Sequence, residues 1–370
     1  MLSLAACGSS GDGSDSDDPI KIGILQAITG PAAAFGSREA AAAEAVAEAV
    51  NEAGGVNGRQ IEVIVEDTKS DPTQAVRLAN KLIKDDGVIA IFGSATGSEV
   101  LSFVNAAMRA EVPVVAPVAT TEVTEADEEY TDWVFRSAPC GCEDAPAIFK
   151  KIQERGVKNL GIFYQDDAYG VSGTAQMEDL AAEGGVNVTE VVSAAPDASD
   201  VTAQVSKLIN SGADAIWAIS SPPPLVSAVL RTAAQRGFEG DVYGVEGAVQ
   251  PTTIEGAEDG AELFVAPAML NPNDSTELTR LHDLMEDHGG VTSFAELLGA
   301  DGMQSIVEGL QTGADTGAEL RDAMDDLTLK NGYGAKPMVY TPDNHNGFKA
   351  DSFFWVTVRD GKYVPLDSVD

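Results

Sequence analysis

Strand-length apolar runs separated by helix-length stretches recur along this chain at a spacing of about 25 residues, and they do so in two series. The first is KIGILQA, IEVIVED, GVIAIFG and VPVVAPV; the second is NLGIFYQDD, VNVTEVVSA, DAIWAIS, DVYGVEG and ELFVAPA. Strand-like runs that alternate with helical segments in this way specify βαβ units and hence parallel sheet. Ser37 to Ala53 is the first such helix, ending at Gly54 and Gly55. Asp71 followed by Pro72 and the stretch Thr73 to Ile83 carries the signature of an N-capped helix. Between the two series the rhythm breaks through TTEVTEADEEYTDWVFRSAPCGCEDA. Two series and one interruption predict an α/β protein of two doubly wound lobes, each with a ligand crevice beyond the carboxyl ends of its strands.

Function is therefore expected in the loops past those ends: residues 93–98, 118–121, 165–170, 220–224 and 246–249. After Ala268 two helices are expected, around Ser275 to His288 and Phe294 to Thr312, then a hairpin-like tail with turn residues in DNHNG and DG. Composition removes several partners. With 59 acidic and 23 basic residues the formal charge is −36, which argues against nucleic acid or an anionic lipid surface. Three cysteines and three histidines argue against a structural zinc site or a disulfide scaffold, and no metal or other cofactor is expected. No apolar window is long enough to span a bilayer. An enzyme of this fold class would need a catalytic motif, and there is no GxxxxGK[ST], no GxSxG and no GxGxxG after a strand. The acids of DGSDSDD lack the twelfth-position Glu of a calcium loop.

The opening stretch from Ile20 to Ile83, with APVATTEVT, WVFRSAP, YQDDAYG and YGVEG in order after it, resembles the branched-chain amino-acid type of ABC-transporter substrate-binding protein. The resemblance implies the type I periplasmic-binding-protein fold, two Rossmann-like lobes joined by a three-stranded hinge that closes on a ligand. It places residues 20–138 and 267–341 in the first lobe and 139–266 and 342–370 in the second, with crossings near 137–140, 265–268 and 340–346. It implies a monomeric extracytoplasmic binder of a branched-chain or other apolar amino acid, delivering it to an ABC permease and ATPase. A related small amide or carboxylic acid, or a ligand-sensing role beside a receptor, are the alternatives.

Residue by residue, the resemblance implies that Gly97 and Ser98, opening a helix, and Thr120 with the Val118 carbonyl hold the ligand's carboxylate and ammonium. Backbone N–H groups at a helix start suit an anion. Tyr169, Ser221 and Glu246 reach across from the second lobe, Glu246 as counter-ion to an ammonium. Phe35, Tyr169 and Phe294 line an apolar side-chain pocket, while Trp217 is expected in the core. Three departures stand out: Gly97 where a serine is common, Ser70 and Thr96 where some members carry a disulfide pair, and CGC at Cys140 to Cys142 where a turn containing Asp is usual. A Cys140–Cys142 disulfide is geometrically demanding although Gly141 helps, an oxidising compartment favours it, and free thiols remain the alternative.

LAAC at Leu4 to Cys7 resembles a bacterial lipobox, with Cys7 the lipidated residue and the Gly, Ser and Asp stretch after it a solvated tether through residue 19. The protein is then anchored to the outer face of a membrane by lipid alone. Six residues before Cys7 are too few for the signal peptide that a lipobox follows, so that peptide is expected to be incomplete in the chain as written.

Overall fold

The computed structural model describes residues 18–269, 279–334, 337–348 and 353–368. In the first lobe β1 (Ile20–Gln26), β2 (Ile61–Asp67), β3 (Ala90–Gly93), β4 (Val114–Ala116) and β5 (Val134–Arg136) form an all-parallel sheet in the order β2-β1-β3-β4-β5. Ile22 and Ile24 of β1 are fully buried and pair with Val63 and Val65 on one side and Ala90 and Phe92 on the other. Helices Ala33–Glu52 and Ala295–Gln311 cover one face and Pro72–Lys81 and Gly97–Arg109 the other, giving the lobe two cores, one on each side of the sheet. Asp71 caps Pro72–Lys81, its Oδ1 accepting from Thr73 N–H at 2.8 Å.

The second lobe holds β6 (Asn159–Gln165), β7 (Asn187–Ala194), β8 (Ala215–Ile219), β9 (Val242–Tyr243), β10 (Phe264–Ala268), β11 (Phe354–Arg359) and β12 (Lys362–Pro365), in the order β12-β11-β10-β9-β8-β6-β7. From β7 to β10 the pairing is parallel; β11 and β12, joined at Asp360 and Gly361, add an antiparallel edge. Trp217 is fully enclosed in this lobe's core.

Strand order reverses between β1 and β3 in the first sheet and between β6 and β8 in the second, so each lobe has its crevice there. The interruption hides a strand that the sequence pattern does not show: β5 is three residues long and follows an acidic stretch of short turns. The first passage between lobes runs from Ala138, in the first core, to Ala145, in the second, and the next separates Ala268 from Met269. Residues 342–348 were expected with the second lobe and pack with the first instead. Asn346 bridges to Arg136 at the edge of the first sheet and Phe348 is in the first core, because the buried Arg136 draws its hydrogen-bond acceptor from this segment. Phe354, at the start of β11, packs against the second core. Cys7, residues 1–17 and the expected helix start at Ser275 lie outside the described residues.

Candidate functional site

The two crevices face each other and enclose a cavity of about 460 Å³, within the range of small-molecule sites. All nine residues singled out from the sequence line it: Phe35, Gly97, Ser98, Val118, Thr120 and Phe294 from the first lobe, Tyr169, Ser221 and Glu246 from the second. The lobes touch around it. Ser98 Oγ accepts from Ala168 N–H at 3.3 Å, so helix Gly97–Arg109 of one lobe meets the start of helix Ala168–Gly184 of the other. A Cβ on Gly247 would stand 3.2 Å from Ser221 Oγ and 3.3 Å from Phe35 Cζ, a ring of the opposite lobe.

On the first lobe, Thr96 caps Gly97–Arg109, its hydroxyl accepting from Glu99 N–H and donating to Glu99 Oε2. Thr120 is 1% exposed and its hydroxyl has no partner among the described residues. A Cβ at residue 97 would fall 1.9 Å from that hydroxyl, so glycine at 97 is what lets Thr120 occupy the site, and a serine there would displace it. Ser70, at the other disulfide position, instead accepts from Ala32 N–H and donates to the Thr29 carbonyl, both at 3.1 Å. Phe35 and Phe294 meet edge to face with ring centroids 5.9 Å apart, forming with Leu298 an apolar wall.

The loop that carries Val118 and Thr120 is fastened from behind by Arg136, which sequence reasoning missed as a site residue. Fully buried, Arg136 donates from Nη1 to the Val118 carbonyl, from Nη2 to the Thr120 carbonyl at 2.8 Å and to Thr124 Oγ1 at 2.7 Å, and from Nε to Asn346 Oδ1 at 2.8 Å. The Val118 carbonyl thus has one lone pair committed to the protein. The Ala119 carbonyl between them accepts from Gly141 N–H at 2.6 Å. Gly141 lies inside a Cys140–Cys142 disulfide, Cα atoms 5.0 Å apart, at the start of helix Gly141–Glu154. Among the described residues the one grouping with metal-ligand reach is Glu125 with these two cysteines, whose sulfurs are joined to each other.

On the second lobe, Glu246 opens a short 3₁₀ turn after β9 and is 5% exposed; its Oε2 has no partner among the described residues. Burial raises its pKa, offset in part by backbone N–H and by a hydrogen bond shared with Asp144, another buried carboxyl missed from sequence. Burial also raises the Tyr169 pKa, with Glu246, Asp144 and Asp167 pushing the same way, so its hydroxyl stays neutral. Gln165, at the end of β6, orders the neighbouring loops: its Oε1 accepts from Ser221 N–H at 2.9 Å and its Nε2 donates to Asp167 Oδ2 at 2.6 Å. The site as a whole offers a hydroxyl, helix-terminal N–H groups, carboxyls and an aromatic wall, with no nucleophile paired to a base.

A family model described as "periplasmic binding protein" matches residues 19–362. The leucine-, isoleucine-, valine-, threonine- and alanine-binding protein of Pseudomonas aeruginosa is 29% identical over 251 residues, 67% of this chain and 66% of that protein. A Leu/Ile/Val-binding protein homolog of Brucella abortus is 27% identical over 94% of this chain and 91% of its own length. Among solved structures, an extracellular ligand-binding receptor from Rhodopseudomonas palustris HaA2 superposes with a TM-score of 0.84 at 27% identity, over 94% of this chain and 99% of that one. The Streptococcus pneumoniae branched-chain amino-acid binding protein in complex with isoleucine shares the fold, with a TM-score of 0.82 at 21% identity over 94% and 98% of the two chains.

Proposed function

Because this chain belongs to the periplasmic binding protein family and is a ligand-binding protein of the Leu/Ile/Val-binding type rather than an enzyme, we propose that it captures an α-amino acid between its lobes for an ABC importer. The observation that carries this reading is the pair of buried, unpartnered atoms facing one cavity from opposite lobes, Thr120 Oγ1 and Glu246 Oε2. A zwitterionic head group answers both. Its carboxylate meets the Thr120 hydroxyl and the N–H groups opening Gly97–Arg109, and its ammonium meets Glu246 and the free lone pair of the Val118 carbonyl. The apolar part of its side chain lies against Phe35, Phe294 and Leu298. Ligand contacts to both lobes favour the shut arrangement, so binding and closure are one equilibrium.

A monomer of this kind hands its ligand to a permease driven by an ATPase. Lipidation at Cys7 would keep it near the permease at the outer face of the membrane; expressed behind a complete secretion signal, Cys7→Ser should move it from the membrane to the soluble fraction. No helix of the described residues is long and apolar enough to cross a membrane. The test of the site is calorimetry with a panel of amino acids on wild type and Glu246→Gln. Deleting the charge that faces a desolvated ammonium costs about 2 to 5 kcal/mol, or roughly 30-fold to several thousand-fold in affinity. The ligand-free melting temperature should stay unchanged or rise, since an acid of raised pKa is removed. A mutant that binds within about twofold of wild type would show the ligand to be an acid or amide without an ammonium.

A further inference from the structure

The aromatic wall of the cavity ends on a carboxyl that the head-group reading does not use. Glu39 lies one turn beyond Phe35 on helix Ala33–Glu52, on the same helix face, and both line the cavity. It is 1% exposed, and its carboxyl takes a single hydrogen bond, Oε2 from Gln26 Nε2 at 3.0 Å. Among the described residues no cation answers it. The charged groups acting on it are Glu99, occupied by Thr96, and Glu296, which accepts from the N–H and hydroxyl groups of Thr292 and Ser293 and has Arg38 Nε at 3.7 Å from its Oε1. A buried carboxyl with one bond is an expensive way to build a wall that Leu or Ala would complete. The charge of the whole cavity points the same way. Glu39, Asp166, Asp167, Asp197 and Glu246 line it, and among the described residues no Lys, Arg or His does.

Resting on the amino-acid reading above, we propose that Glu39 is the specificity residue for the ligand's side-chain tip, and that the ligand is an α-amino acid whose apolar stem ends in an N–H or O–H donor. The stem packs on Phe35, Phe294 and Leu298; the tip donates to Glu39. An acidic side chain is excluded, because it would meet only like charge in a desolvated site. A purely aliphatic tip leaves the Glu39 carboxyl dehydrated without a donor in return, the kind of mismatch by which polar sites reject apolar analogues.

The test is calorimetry of the full chain with leucine, isoleucine, glutamine, threonine, lysine, arginine and glutamate, on wild type, Glu39→Gln and Glu39→Leu. In wild type at least one donor-tipped amino acid should bind about tenfold or more tighter than leucine, with glutamate silent. Glu39→Leu should reverse that ranking, and Glu39→Gln, which keeps the shape, should narrow any preference for a cationic tip. A merely structural Glu39 would weaken all ligands alike. Leucine or isoleucine binding tightest, with the ranking unmoved in both variants, overturns the role of Glu39 and leaves the amino-acid site standing. A panel in which no amino acid binds overturns both.

Discussion

Around the ligand's head group the first lobe presents neutral oxygens and backbone groups fixed by a buried guanidinium, its carboxyl Glu39 lying apart beyond Phe35, whereas the second lobe presents carboxyls that no cation among the described residues lining the cavity balances. Thr120 and Val118 are held through their carbonyls by Arg136, which also ties in Asn346; Asn346 Nδ2 in turn donates to Glu125 Oε1 at 2.6 Å. That half is built before ligand arrives. Across the cavity, Glu246 lies against a second buried carboxyl, Asp144, and its Oε2 has no hydrogen-bond partner among the described residues. An unpartnered hydroxyl costs about 1 to 3 kcal/mol, and an unpaired buried carboxylate more, which is why Glu246 answers with a raised pKa. The lesson is a division of labour: one lobe positions the ligand, and the other gains from closing on it only if the ligand brings a positive charge.

The largest effect should come from attacking the fixed half. Arg136→Met strips the donors from the Val118 and Thr120 carbonyls and from Asn346 Oδ1, each a loss of about 1 to 3 kcal/mol when buried. A combined loss of about 3 kcal/mol or more lowers the melting temperature by roughly 6 to 12 °C for a domain of this size, and ligand affinity falls with it as the loop slackens. Glu246→Gln, by contrast, should spare the melting temperature. Calorimetric melting of the two variants side by side breaks the comparison if Arg136→Met melts with wild type, for then the first half is not held by this network.

Much of this architecture was legible and some was not, for physical reasons tied to particular residues. Strands β1, β3, β4, β6 and β8 to β10 announce themselves because they are buried and read as nearly unbroken apolar segments, while the edge strands β2 and β7, only partly buried, show instead as β-branched runs interspersed with polar residues. Glu246 stood out because a carboxylate between Val245 and Gly247 at a strand end has no reason to sit in a core. β5 escaped because three residues carry no period, and Arg136 within it because arginine is usually a surface residue and nothing local signals that Val118, Thr120 and Asn346 converge on it. Glu39 escaped because on an alanine-rich helix a charge reads as a solvated face. Only the packing of Ala295–Gln311 against that helix shows that the face is buried.

A second, smaller effect should appear on titration and belongs to the second lobe alone. Without ligand, burial raises the Glu246 pKa; an ammonium beside it lowers the value, so binding expels a proton wherever Glu246 was protonated. Affinity should be level with pH above the raised pKa and weaken by up to about tenfold per unit as the pH falls below it, towards the ordinary carboxylate range. The groups facing Glu246 are Asp144 from helix Gly141–Glu154 and Tyr169 from Ala168–Gly184, and Tyr169 does not titrate there because its own pKa is held high. Glu246→Gln should flatten the profile. Calorimetry between about pH 8 and about pH 5, in buffers of different ionisation enthalpy, counts the protons, and a profile already flat in wild type would remove Glu246 as the charge partner.

The smallest effect should come from the seam where the halves meet. Ser98 Oγ spends an acceptor site on Ala168 N–H of the opposite lobe, at 3.3 Å a long hydrogen bond between the first turn of a helix in the fixed half and the first turn of a helix in the other. Because that N–H belongs to a helix start with no partner inside its own helix, Ser98→Ala costs the shut arrangement about 1 kcal/mol and leaves each lobe's fold alone. Affinity should therefore weaken about fivefold through the opening equilibrium, with the radius of gyration of the ligand-free protein shifted upward and that of the saturated protein unchanged. A loss beyond about thirtyfold would mean that the hydroxyl touches the ligand itself, and would move Ser98 from the seam into the head-group site beside Thr120. No change in affinity or in scattering would mean that water replaces Ser98 at the helix start, leaving the ligand as the only bridge between the two halves.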